Sequence, residues 1–314
     1  MAAQTTGAAT TGAATTGAAT TGVAAADDGW LVEEIRVAVP EGGLRHDLRA
    51  VGIVWRRELI RFRTDRLRAV TALIQPVLFL FVLGTGLATL AGGGMPPGIS
   101  FKTFIYPGVL AMSVLFTAIF SAASIVWDRE FGFLREILVA PVSRASIVIG
   151  KCLGGATIAT FQGIIFLVLA GFADVPYNPV LIITLIGELL LLSFTLTAFG
   201  VMMAARIKQF QAFMALTQML VMPLFFLSGA LYPLSGLPAW LSVLTRIDPL
   251  TYIVGPMRHA VFSHLTMAAA AEQHLSPSIT WAGWAVPLGL SLGIVAVMGI
   301  GMTAVAIAEF RKTE

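Results

Sequence analysis

The segment that decides the fold reads Trp127-Asp-Arg-Glu-Phe-Gly-Phe-Leu-Arg-Glu-Ile-Leu-Val-Ala-Pro-Val-Ser-Arg144. It is the only long charged segment set between two apolar runs that are each long enough to cross a bilayer. Its apolar residues recur at helical spacing, which predicts an amphipathic helix that rests on the membrane surface with its charges facing the cytoplasm. Pro141 is expected to end that helix or to begin the next one.

Composition places the whole chain in the membrane. It has 314 residues, of which 57% are hydrophobic and 12% are charged, and its mean hydropathy is +0.86. These values are typical of an all-α integral membrane protein and exclude an ordinary soluble domain. The net charge of +3 does not indicate a nucleic-acid partner, because the basic residues flank apolar runs.

The first 43 residues differ from the rest of the chain. Residues 5–24 repeat Thr-Thr-Gly-Ala-Ala with little variation, and such a tract has neither the apolar mass to fold nor the pattern of a signal peptide. We therefore expect a disordered, low-complexity cytoplasmic tail over residues 1–43 and one six-span transmembrane domain over residues 44–314.

A basic amphipathic segment precedes the first apolar run. Residues 44–68 interleave arginines with aliphatic side chains and Trp55, which predicts a helix lying in the inner headgroup layer of the bilayer. The residues assigned to this interfacial helix are Trp55, Arg56, Arg57, Glu58, Arg61 and Arg63.

Six apolar runs are predicted to span the membrane, at about 69–90, 101–126, 145–171, 179–205, 210–227 and 279–308. The stretch 228–264 is too rich in proline to be a span and too apolar to be an ordinary loop, so short re-entrant or interfacial helices are expected on the outer face. All lysines and arginines except Lys102, Arg246 and Arg258 lie in segments assigned to the cytoplasm. By the positive-inside rule, both termini are therefore expected there, in a cytoplasmic (inner) membrane.

The sequence contains no site for an energy-yielding reaction. No Gly-x-x-x-x-Gly-Lys-Ser/Thr loop is present, and neither is a hydrolytic triad or a zinc-binding run. His259 and His264 are five residues apart, off a common helix face, so no metal is expected there, and the single cysteine, Cys152, receives no role. The chain is therefore predicted to be a non-catalytic subunit that binds no cofactor of its own.

Four polar residues are predicted to lie inside spans. Glu188 is the one acid deep in an apolar run, and burying it is costly, so it is a candidate for substrate contact or proton coupling. The alternative is a protonated carboxyl that hydrogen-bonds a neighbouring helix. Gln75, Gln162 and Gln218 are weaker candidates for the same two roles, a part in transport or a hydrogen bond to a neighbouring helix.

The segment that follows Trp127 resembles the loop after the second span in type-2 ABC exporter permeases of the daunorubicin/doxorubicin-resistance type, and the likeness extends over about residues 44–310. In that family the loop docks on a separate P-loop ATPase, which binds the ATP and Mg. The resemblance assigns ATPase docking to Asp128, Arg129, Glu130, Phe131, Phe133, Leu134, Arg135, Glu136 and Arg144. It also implies a dimer with a second copy or a paralogue, and export of drugs or lipid-like molecules, although some relatives move polysaccharides.

Two other functions remain open at this point. A secondary transporter would work without an ATPase, but such proteins usually show several buried ionisable groups and paired interrupted helices. A non-transporting scaffold or immunity protein could use the same charged segment to hold a partner.

Overall fold

The computed structural model describes residues 43–88, 99–132, 142–234, 237–265, 275, 279–281 and 284–312. The helices are α1 (Leu44–Thr64), α2 (Arg66–Leu78), α3 (Phe101–Ser121), α4 (Ala123–Glu130), α5 (Arg144–Leu167), α6 (Pro179–Arg206), α7 (Phe210–Leu227), α8 (Ala239–Ile247), α9 (Thr251–Phe262) and α10 (Leu288–Lys312). Helix α2 continues through a π-helical turn, Phe79–Leu83, into Gly84–Gly86, and α5 ends in a 3-10 turn, Val168–Ala173. The predicted tail lies outside the described residues.

Six helical segments are long and apolar enough to cross a membrane, which confirms the predicted all-α fold and makes the chain a multi-pass membrane protein. These segments are Ala69–Gly86, Phe101–Glu130, Arg144–Ala173, Pro179–Arg206, Phe210–Leu227 and Leu288–Lys312. The start of the sixth was predicted too early. Thr280–Trp281 and Trp284–Ala285 pair as antiparallel strands before α10 begins.

The second span is the centre of the bundle. Of its most apolar window, 89% is buried, against 17% for the first span and 22% for the fifth. Helix α3 packs against α2, α5, α6, α7 and α9. The hydroxyls of Ser113 and Thr117 on α3 donate to carbonyls of their own helix, those of Leu110 and Ser113, so these two hydroxyls do not depend on water. The faces of the first and fifth spans are left for lipid or for another chain.

Helix α1 packs along the first half of α5. Close approach is possible because α5 has glycines at the contact: a Cβ at Gly150 would meet Val54, and one at Gly154 would meet Glu58. The Trp55 indole donates to the Thr157 hydroxyl at 3.1 Å. A hydrogen bond from Ser143, at the start of α5, lowers the pKa of Asp47. The interfacial helix is thus fixed to the bundle along its length.

The segment that decides the fold begins as a continuation of the second span. Helix α4 ends at Glu130, and Gly132 takes a left-handed conformation with φ of 83°, which is the usual way for a helix to stop. Trp127 packs on Phe131 and on Phe210, with ring centroids 4.6 and 5.1 Å apart. The predicted surface helix is therefore not continuous with Glu130, and residues 133–141 lie outside the described residues.

The opposite end of the bundle, which we call the cap end, is built by α8, α9, the turn that ends α7 and the start of α3. Short helices were predicted over this stretch, and α9 packs against α3, α6 and α10. The Asp248 carboxylate accepts hydrogen bonds from the Leu250 amide at 2.9 Å and the Thr251 hydroxyl at 3.2 Å. These bonds begin α9 in the manner of a helix cap.

Candidate functional site

Five charged side chains meet where α1, α4 and α5 come together. The Lys151 ammonium lies 2.7 Å from Glu58 Oε1 and 3.2 Å from Asp128 Oδ2. Arg57 reaches Asp128 Oδ2 at 2.8 Å, and Arg61 reaches Asp128 Oδ1 at 3.6 Å. We call these five residues the charge cluster. It joins the interfacial helix to the end of the second span and the start of the third.

The centre of the charge cluster is buried. The side chains of Lys151, Glu58 and Asp128 are each 6% exposed. Lys151 also donates to the Ser124 hydroxyl at 2.9 Å, so its ammonium has three oxygen partners. A buried charge that loses its partner is costly, whereas one that keeps several is tolerated. The cluster therefore stabilises one relative placement of three helices and disfavours others.

Asp128, Arg129 and Glu130 are consecutive, and each contacts a different part of the bundle. Asp128 belongs to the charge cluster. Arg129 Nη1 donates to the carbonyls of Ala204 and Ile207, at 3.1 and 2.8 Å, at the end of α6. The Glu130 carboxylate accepts from the Phe210 amide at 2.7 Å, at the start of α7. A cation at a helix C-terminus and an anion at an N-terminus both complement the helix dipole.

The last helix is held at the same end of the molecule, which we call the charged end. Arg144 Nη1 donates to the Phe310 carbonyl at 2.9 Å, and Arg206 pairs with Glu309 at 3.0 Å. The Arg129 guanidinium lies 5.8 Å from the centre of the Phe310 ring. Charged residues at the two ends of the predicted docking segment thus contact or belong to every span from the second to the sixth.

A cavity of about 340 Å³ adjoins the charge cluster and lies between α1, α2, α3, α4, α5 and α7. Glu58, Arg61 and Ser124 line it at the cluster side. Its remaining lining is Phe62, Asp65, Thr71, Ala72, Gln75, Phe116, Thr117, Phe120, Ser121, Ile158 and Gln218. Aromatic rings beside a few hydrogen-bonding side chains suit a molecule with an apolar body and a polar group.

The four polar residues predicted inside spans have different positions. Gln75 and Gln218 converge on the cavity from the first and fifth spans. Gln162 is fully buried and donates to the Ala69 carbonyl at 3.2 Å, so it ties the third span to the first. Glu188 is buried on α6, and its Oε2 has no hydrogen-bond partner among the described residues. It lies two turns before Thr195, which bonds the Val295 carbonyl of α10.

The predicted docking residues divide into three groups. Asp128, Arg129, Glu130 and Arg144 are bound by this chain's own helices, while Phe131 is exposed. Phe133, Leu134, Arg135 and Glu136 lie outside the described residues. ATPase docking therefore stays a prediction for this set. Arg56 and Arg63 of the interfacial helix are exposed, in keeping with headgroup contact.

Sequence reasoning did not identify Lys151 or Ser124. Lys151 was counted only as one of the basic residues on the cytoplasmic side, although it lies two turns inside an apolar helix. Glu58 was assigned to the headgroup layer, yet it is buried. Glu58 is an acid in an arginine-rich helix, and Lys151 is a base in an apolar helix. Opposite charges in such unusual positions could have predicted that the two residues pair.

Comparison with known proteins gives the family. Residues 49–262 match the model of the ABC-2 type transporter family. The chain is 29% identical over 68% of its length to a protein named transport permease ycf38 from Cyanophora paradoxa, covering 73% of that protein.

Two relatives come from Escherichia coli strain K12. "Probable multidrug ABC transporter permease YbhR" is 31% identical over 50% of this chain and 43% of its own length. "Inner membrane transport permease YadH" is 26% identical over 67% of this chain and 82% of its own length. With its six apolar helices and a family match over more than half its length, the chain belongs to the ABC-2 type transporter family of membrane permeases.

Proposed function

We propose that this chain is the membrane subunit of an ATP-driven exporter. A separate P-loop ATPase, which binds ATP and Mg, docks on the segment 128–144 at the charged end. That end faces the cytoplasm, with both termini, because it carries most of the lysines and arginines. The membrane is the cytoplasmic (inner) membrane. Members of this family are transport subunits and are not catalytic themselves.

The arrangement of Asp128, Arg129 and Glu130 carries this proposal. Because each of the three contacts a different part of the bundle, a displacement of the segment that follows them would act on α1, α5, α6 and α7 together. Coupling between distant sites requires such a contiguous set of contacts with two arrangements. The buried charge cluster is the part that favours one arrangement over another.

The cavity next to the charge cluster is the proposed substrate site. Its rings and amide side chains suit an amphipathic drug or a lipid-like molecule. The name of the relative YbhR includes multidrug transport, which supports multidrug efflux and antibiotic resistance as the setting. Any force that moves α1 or α4 also moves the lining of this cavity, because Glu58, Arg61 and Ser124 belong to both.

We also propose a dimer with a second copy or a paralogue, giving twelve spans above two ATPase subunits. The first and fifth spans leave most of their surface uncovered within one chain. Gly86 in the first span and the end of the fifth are the proposed contact, since small residues allow close helix approach in membranes, whereas Gly84 packs against Lys102 of its own chain.

Affinity purification tests the partner. The tagged full-length protein is purified from its own host in mild detergent, and co-purifying proteins are identified by mass spectrometry. We expect a P-loop ATPase with the wild type and its loss with Arg135→Ala/Glu136→Ala. Glu130 is left intact in this variant, because its carboxylate also holds the start of α7.

Arg311→Ala/Lys312→Ala is the control, since it removes two charges at the same end outside the docking segment. It should retain the ATPase. Recovery of intact dimers without any P-loop ATPase would exclude the exporter and favour a secondary transporter. An ATPase whose hydrolysis does not respond to candidate drugs in the reconstituted complex would instead favour a scaffold.

Glu188 is proposed as a polar group on the transport route. Glu188→Gln keeps the shape of the side chain, so we expect the free energy of unfolding to change by less than about 1 kcal/mol. Drug efflux by cells that express the variant should fall, and its dependence on pH should change, because the amide cannot bind or release a proton. Efflux equal to that of the wild type at every pH would leave Glu188 with a packing role only.

A further inference from the structure

Arg258 is a buried cation in the cap, far along the chain from the charge cluster. It is 3% exposed, and its guanidinium lies 4.3 Å from the centre of the Phe104 ring. Its Nη2 donates to the carbonyls of Gly229 and Ala230, at 2.7 and 3.2 Å. Nothing in the proposed transport mechanism uses this side chain.

The hydrogen-bonding capacity of Arg258 is only partly used. Its Nε has no hydrogen-bond partner among the described residues, and no acid in that part of the chain lies within ion-pair distance of it. Asp248, the buried acid of the cap, bonds instead to Leu250 and Thr251. Carbonyls and a ring face compensate a buried guanidinium only partly, whereas an anion would do so fully.

The charge states of these two cap residues leave a net positive charge. Burial raises the pKa of Asp248 to about 7, so this carboxyl is partly neutral at neutral pH. Burial lowers the pKa of Arg258 to about 9, so the guanidinium remains charged there. The two groups therefore do not cancel each other.

A cavity of about 110 Å³ lies beside this side chain. Its polar lining consists of Ser228, Arg258, His259 and Ser291, and Gly255 and Leu288 contribute to the remainder. Since one water occupies about 30 Å³ of liquid, the cavity has room for a small polyatomic group. The Ser228 hydroxyl already donates to the Phe225 carbonyl and the Ser291 hydroxyl to the Pro287 carbonyl, so the Arg258 guanidinium is the donor in this lining for an anionic oxygen.

We propose that the Arg258 cavity binds an anionic oxygen group, a carboxylate or a phosphate, at the cap end. The group is either a free anion or the head of an amphiphile. In both cases the chemistry is the same: the Arg258 guanidinium donates to the anion, while Nη2 keeps its bonds to the turn that ends α7.

Thermal unfolding of the purified full-length protein in maltoside detergent tests this site. In the first series, sodium phosphate is the probe and sodium isethionate at the same ionic strength is its control. In the second series, octyl phosphate is the probe and octanol is its control. For the wild type we expect a saturable rise of about 4 °C in the midpoint with phosphate. A response to inorganic phosphate indicates a free anion, and a response to octyl phosphate alone indicates an amphiphile head. Midpoints that respond to neither probe would overturn the proposal.

Two variants separate this site from general salt effects. Arg258→Gln should lose the response, whereas Arg246→Gln, in the neighbouring cap helix, should keep it. Because Arg258 also holds the α7 turn, Gly255→Val is the second variant: a Cβ there meets nothing within 4 Å, so the added side chain fills the cavity and leaves the guanidinium in place. Gly187→Val, at another helical glycine with open space, is its control. Equal responses in Gly255→Val and Gly187→Val would overturn the proposal.

Discussion

Replacing Lys151 with methionine is expected to lower the free energy of unfolding by about 3–5 kcal/mol. The ammonium of Lys151 is the contact that Glu58 and Asp128 share. Asp128 keeps Arg57 when Lys151 is lost, but Glu58 becomes a buried carboxylate without a cation among the described residues. For a chain of this size the loss corresponds to a midpoint about 10 °C lower in detergent, which thermal unfolding and the yield of monodisperse protein will measure.

A second substitution distinguishes charge from packing. In Glu58→Gln/Lys151→Met the orphaned carboxylate is absent, so we expect the double variant to regain much of the stability lost in Lys151→Met. Lys312→Met, where the lysine side chain is 72% exposed, should stay within about 0.5 kcal/mol of the wild type. A double variant no more stable than the single one would show that Lys151 acts by its shape and not by its charge.

Gly108→Ala is expected to lower the free energy of unfolding by about 3 kcal/mol. A Cβ at Gly108 would lie 2.6 Å from the Ala230 Cα and 2.7 Å from its carbonyl oxygen. These are backbone atoms, so no side-chain rotation relieves the overlap, and α3 must move away from the turn that ends α7. That turn cannot yield easily, because Arg258 binds the carbonyls of Gly229 and Ala230.

Gly187→Ala is the matched control for this second effect. Both glycines lie within spanning helices, but a Cβ at Gly187 meets nothing within 4 Å. Alanine favours a helix over glycine by about 1 kcal/mol, so the control should be unchanged or slightly more stable. If thermal unfolding shows the two variants to be equally stable, the contact between Gly108 and Ala230 is looser than described.

Periodicity and hydropathy were sufficient to predict the spans, the interfacial helix and the cap helices, because each depends on local sequence. The sixth span was placed too early since Ile279, Trp281 and Trp284 are apolar. The aromatic character of the two tryptophans fits the short hairpin that forms there. Helix capping by Glu130 could not be predicted, because Phe210 is brought near it only by the packed bundle.

The candidate site was predictable only in part. Gln75 and Gln218 were noted as polar residues in apolar runs, and the structure brings both to one cavity. The burial of Glu58 was not predicted, because the arginines around it are typical of a surface helix. Whether an acid there lies in headgroups or against Lys151 depends on the contact of α1 with α5, which no local pattern encodes.

The central position of the second span has a consequence for biosynthesis. Helix α3 enters the bilayer before α5, α6 and α7, so lipid surrounds faces that protein later covers. Its apolar surface suits both surroundings, and Ser113 and Thr117 satisfy their hydroxyls within their own helix from the start. Thr103 finds the Ala173 carbonyl only after the third span has arrived. Helix α3 can therefore stay in the membrane before its neighbours are made without exposing unpaired hydroxyls in its middle. The hydroxyl near its start gains its partner when the third span has been inserted.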